Sequence, residues 1–127
     1  MSQAFAPYGS GWIADNYYHY VKTADMTAPT PVNLWVMIDE NPDSVNDGAL
    51  AVVMSPYGGV WQDGPSALHG GACGFTFADG HAEIHKWKDG RTSPILKTTY
   101  TTTFPYGVVQ PNNQDIAWMQ DRTTAKK

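Results

Sequence analysis

The stretch Cys73-Gly74-Phe75-Thr76-Phe77-Ala78-Asp79-Gly80-His81-Ala82-Glu83-Ile84-His85 constrains the fold of this chain more than any other. Large apolar residues alternate with small ones up to Phe77, Asp79-Gly80 interrupts, and an alternation resumes beyond it. Asp-Gly between two such runs is the strongest short-range signal for a β-hairpin, because both central residues of a type I′ turn need positive φ. A two-residue turn at Asp79-Gly80 sets Ala78 opposite His81, Phe77 opposite Ala82, Thr76 opposite Glu83, Phe75 opposite Ile84 and Gly74 opposite His85. Side chains alternate faces with period two. The expected buried face carries Cys73, Phe75, Phe77, Ala82 and Ile84. The expected polar face carries Gly74, Thr76, His81, Glu83, His85 and Trp87.

The remaining sequence places this hairpin in a small, β-dominated α+β domain built on an antiparallel sheet with long loops. Val32-Asn33-Leu34-Trp35-Val36-Met37-Ile38 is a nearly continuous apolar run and reads as a central strand. Ala49 to Met54 reads as the next strand, and 98–104, rich in Thr and aromatics, has strong β propensity. Ser55 to Gly70 is a long loop punctuated by Gly and Pro. A short helix is expected around Asp115-Ile116-Ala117-Trp118-Met119. The 127 residues make a single domain, 1–127, with an irregular N-terminal arm over 1–16 and a C-terminal tail over 112–127.

Composition narrows the function. Eight Lys+Arg against twelve Asp+Glu give a net charge of -4, with no basic patch to hold nucleic acid. Cys73 is the only cysteine, so no internal disulfide forms; on the hairpin's apolar face it reads as a small hydrophobe. No window approaches the ~20 apolar residues of a membrane span. The first residues, Met1-Ser2-Gln3-Ala4-Phe5, show no charged start or apolar stretch of a signal peptide, so the chain as written reads as soluble, without membrane contact.

His69, nine residues, then Asp79-Gly80 reproduces the spacing of the prepilin-type, processing-associated H-x9-DG domain. The run from Pro31 to Glu40, the loop from Asp43 to Gly48, Phe77-Ala78-Asp79-Gly80-His81 and Asp115-Ile116-Ala117-Trp118 also resemble that family, in the same order, from about Tyr17 onward. The resemblance implies a pseudopilin-like globular head of the type II secretion or type IV pilus kind, lacking the family's N-terminal helix. It implies a periplasmic or cell-surface location for the parent protein, and other pilin-like subunits or surface polysaccharide as partners. His69, Asp79 and Gly80 form the structural signature. In this reading His69 bonds a backbone group, Asp39 or Glu40, and pins the long loop to the sheet.

Three groups of residues stand out as candidate chemistry. His81, Glu83 and His85 alternate on one strand, so they share a face about 7 Å apart, and together form a ligand set for Zn²⁺ or another first-row metal. Asp39, Asp43 and Asp47 lie in a loop dense in oxygen donors, which suits Ca²⁺; major pseudopilins that this chain resembles carry a structural calcium loop. No organic cofactor is indicated. Catalytic candidates are Glu83, Glu40 and His69, with no G-x-S-x-G elbow to supply a serine nucleophile. Trp61, Trp87 and Tyr57 are candidates for stacking on sugar rings. The leading expectation is a non-catalytic structural or interaction module. The alternatives are a small metal-dependent hydrolase of esters or glycosides acting through His81, Glu83 and His85, and a carbohydrate-binding module.

Overall fold

The computed structural model describes residues 1–5, 16–54, 59–100 and 104–127. Tyr57, and 101–103 of the Thr-rich run, lie outside the described residues. The chain is a small α+β protein, mostly sheet. Strand β1 (Trp35–Ile38) is followed by β2 (Val60–Trp61), β3 (Ala72–Phe77) and β4 (Ala82–Lys86). A short helical turn α1 (Thr92–Leu96), strand β5 (Val108–Val109) and helix α2 (Gln114–Thr123) complete it. Two antiparallel sheets form, one of three strands in the order β1-β3-β4 and one of two, β2-β5.

Strand β1 is shorter than its apolar run. Pro31–Asn33 winds instead into a 3-10 turn, with proline's fixed φ at its start. Ala49 to Met54 joins neither sheet, although Leu50 to Met54 are buried. Its edges are held singly: Leu50 N donates to Met1 O at 2.8 Å, and Gln3 Nε2 to Val52 O at 2.7 Å. Residues 1–3 are thereby tied to this segment. Ser2 N also donates to Val36 O at 2.7 Å, which covers the outer margin of β1.

The C-terminal tail is likewise part of the core. Asn113 caps α2, its Oδ1 accepting from Asp115 N at 2.8 Å and Ile116 N at 3.2 Å. Ile116 and Met119 then pack with Leu34, Trp35, Leu50, Phe75 and Leu96 in one continuous core. Trp35 Nε1 donates to Thr123 Oγ1 at 2.9 Å, locking the helix onto the sheet.

The hairpin forms at the expected place in a different register. Thr76 pairs with Ala82, Phe75 with Glu83, Gly74 with Ile84 and Cys73 with His85. The turn holds three residues, Ala78-Asp79-Gly80: Gly80 N donates to Phe77 O at 3.0 Å, and Phe77 N to His81 O at 2.9 Å. Gly80 takes φ +95°, the left-handed bulge position of a three-residue hairpin loop. This added residue moves β4 by one place, and a one-residue slip exchanges the two faces. His81, Glu83, His85 and Trp87 thus join Cys73, Phe75 and Phe77 on the inner face, while Ala82 and Ile84 join Gly74 and Thr76 on the outer one. Ile84, expected inside, is 69% exposed.

Candidate functional site

The outer face of the three-stranded sheet holds a shallow hollow of about 450 Å³, bordered by Met37, Asp39, His69, Gly74, Thr76 and Ile84. Its floor is low because Gly74 has no side chain. A Cβ there would stand 2.9 Å from Asp39 Oδ2. The Asp39 carboxylate lies across that gap and meets His69 Nε2 at 3.1 Å. His69 thereby ties the loop ahead of β3 to the end of β1, while both side chains stay more than half exposed. Two further bonds join the same elements: Ser66 N donates to Asp39 O at 2.8 Å, and Asn41 N to Gly64 O at 2.8 Å.

The other end of the signature builds the turn. Asp79 Oδ1 accepts from His81 N at 3.1 Å and meets His81 Nδ1 at 2.6 Å. These bonds hold the Asp79 carboxyl below the usual carboxylate range. The His81 ring also stacks flat on its cross-strand neighbour Phe77, with centroids 4.4 Å apart and planes 3° apart.

His85 is placed differently again. Its ring stacks on Trp118 of α2 at 3.7 Å and 17° and meets Trp87 edge-on at 5.1 Å. The Arg122 guanidinium lies over the Trp118 ring, 4.4 Å from the ring centre. Burial holds the His85 imidazole below its usual range, favouring the neutral ring. Glu83 stays exposed between the two histidines. The three share a face as alternation requires, but His81 is drawn to the turn and His85 to the helix.

The three aspartates of the proposed calcium loop also have separate tasks. Asp39 meets His69. Asp43 Oδ2 accepts from Thr99 N at 2.7 Å, and Asp47 Oδ1 from Ala49 N at 2.7 Å. Among the described residues, no three His, Cys, Asp or Glu side chains converge to hold a metal ion. Trp61 and Trp87 turn out to be core residues. They meet edge-to-face at 6.0 Å and donate through Nε1 to Gln110 Oε1 and Ser66 O. Their ring faces are packed, so neither offers a platform for sugar. Burial likewise pushes the Cys73 thiol up to about 12, leaving it protonated at neutral pH.

Glu40 is the most perturbed of the catalytic candidates. Burial, then the nearby Asp63 carboxylate, raise its carboxyl to about 7, and Oε1 has no hydrogen-bond partner. A carboxyl raised from 4.5 to about 7 favours folding at low pH; that contribution is lost as pH rises through the interval. Glu40→Gln is therefore expected to stabilise the protein by about 1 kcal/mol at pH 8, after allowance for solvent screening, and to change little near pH 4. Urea unfolding at the two pH values checks this; equal effects at both would contradict it.

No protein-family model, no curated protein and no solved structure matches the chain.

Among the described residues, no helix is long and apolar enough to cross a membrane. Two features of the site were missed from sequence. One is Asp115, a buried carboxylate that accepts from the backbone N–H groups of Lys88 and Asp89 where the chain leaves β4. The other is the Arg122-Trp118-His85 stack. A short helix was expected around 115–119, but nothing local in sequence showed that this helix would pack against β4.

Proposed function

We propose that this chain is the non-catalytic, extracytoplasmic head of a pseudopilin-like protein, with a structural or interaction role in secretion or in a surface filament. The observation that carries this reading is the use made of the signature residues. His69 fastens the loop before β3 to Asp39 at the end of β1. Asp79 organises the hairpin turn, and Gly80 supplies its positive φ. Each acts on the protein's own backbone or side chains, as a scaffold requires. Other pilin-like subunits are the partners this reading implies.

The hydrolase reading needs His81, Glu83 and His85 to face one substrate, and their separate partners weigh against it. The test is replacement of the native gene by variants in the cell that carries it, with secreted protein and surface filaments as readouts. Under the scaffold reading, Glu83→Gln and Glu40→Gln leave both outputs intact, because neither carboxylate does chemistry. Loss of output by a normally folded Glu83→Gln protein would overturn the reading and favour catalysis.

A further inference from the structure

Strand β4 forms one margin of the three-stranded sheet. Bonds from Phe77 N to His81 O and from Trp87 N to Gly71 O fix which of its residues face β3. The alternation of an antiparallel ladder then gives His81, Glu83, His85 and Trp87 to β3. The backbone N–H and C=O groups of Ala82, Ile84 and Lys86 point the other way, and no described residue pairs with them. The opposite margin of the sheet is covered by Ser2 on Val36. Among the described residues the β4 margin of the sheet is thus open, and it carries an exposed isoleucine.

A row of unpaired backbone groups is a template for another strand. Pairing of this edge with the same edge of a second copy closes as a two-fold dimer in which each edge satisfies the other. A two-fold axis normal to the sheet keeps the inner faces on the same side, so odd residues must pair with odd and even with even. A register centred on Glu83 opposes two carboxylates. One centred on His85 opposes two imidazoles and sets Lys86 against Ile84. The register centred on Ile84 alone joins the two isoleucines and sets Glu83 opposite the second copy's His85, with Ala82 opposite its Lys86. It also sets Gly80, at the end of each hairpin turn, opposite the exposed Lys88 of the other copy.

We propose that two copies of this chain associate through their β4 edges, antiparallel and centred on Ile84, into a continuous six-stranded sheet. The inference is independent of any place in secretion, since it uses only the open edge and the order of residues along it. Five residues per copy make a small interface, with a dissociation constant on the order of 10–100 μM.

Analytical ultracentrifugation of the full chain across that concentration range tests the proposal. The wild-type chain is expected to pass reversibly from monomer to dimer. Ile84→Lys alone and Ile84→Glu alone are expected to stay monomeric, because each sets like charges face to face across the axis. A mixture of the two variants is expected to form a heterodimer, a result that only self-opposition of residue 84 produces. Ile84 is largely exposed, so both variants keep the fold, which circular dichroism verifies. A wild-type chain still monomeric at about 1 mM overturns the proposal. So does a wild-type dimer that either single variant retains, or a mixture that fails to associate.

Discussion

Phe75→Ala is expected to destabilise the protein by about 3–5 kcal/mol, a large share of the ~5–15 kcal/mol that holds a domain folded. Phe75 is 2% exposed, and its ring is the hub of the aromatic core. It meets Trp118 at 5.0 Å, Trp35 and Trp87 at 6.2 Å, His85 at 6.3 Å and Phe77 at 6.4 Å. Truncation leaves a void bounded by rings from β1, β3, β4 and α2, none of which can collapse into it without leaving its own partners. Ile84→Ala is the informative companion. A buried isoleucine lost to alanine costs about 2–5 kcal/mol, whereas exposed Ile84 should cost about 0.5 kcal/mol or less. Urea titrations with unchanged slope measure both. Comparable losses at the two positions would contradict the observed register, because only the two-residue turn buries them together.

Asp115→Ala is expected to cost about 2–4 kcal/mol, for a different reason. The Asp115 side chain belongs to a residue only 1% exposed. It accepts from Lys88 N at 2.9 Å and Asp89 N at 2.9 Å, so one carboxylate satisfies two backbone donors where the chain turns away from β4. Alanine strands both donors in a closed setting, where each unmade bond costs far more than a made one contributes. Asp115→Asn keeps an acceptor oxygen and should lose less. Amide exchange should quicken at Lys88 and Asp89 in Asp115→Ala, with Phe75 and Phe77 less affected. A variant as stable as the parent would show that the carboxylate does not hold β4 to α2.

Much of this architecture was legible in the sequence. The apolar run 32–38 announced a strand, Asp79-Gly80 a hairpin, and the stretch 115–119 a short helix. His69 and Asp79-Gly80, singled out in sequence, sit in the fold at a loop tie and a turn. What failed was one residue of turn length. Ala78-Asp79-Gly80 serves a three-residue loop as readily as Asp79-Gly80 serves a two-residue one, because both place Gly80 at positive φ. The hydrophobic pattern favoured the wrong choice, since Ala82 and Ile84 look like core and His81 and His85 look like surface. The deciding partner is Trp118, which is distant in sequence and offers His85 a flat apolar face. The sugar-binding candidates Trp61 and Trp87 failed similarly: loop-like neighbours hid that each indole has a buried acceptor, Gln110 or Ser66.

The register of the hairpin underlies the whole account, because it sends His85 inward, leaves Ile84 outward and divides the candidate metal ligands. Cross-strand Hα–Hα contacts measured by NMR on the chain at low concentration test it most directly, since non-hydrogen-bonded antiparallel pairs bring their Cα atoms to about 4.5 Å. Contacts between Thr76 and Ala82 and between Gly74 and Ile84 are expected. Contacts between Phe77 and Ala82 and between Phe75 and Ile84 would contradict the account, restoring a two-residue turn and returning His81, Glu83 and His85 to one open polar face.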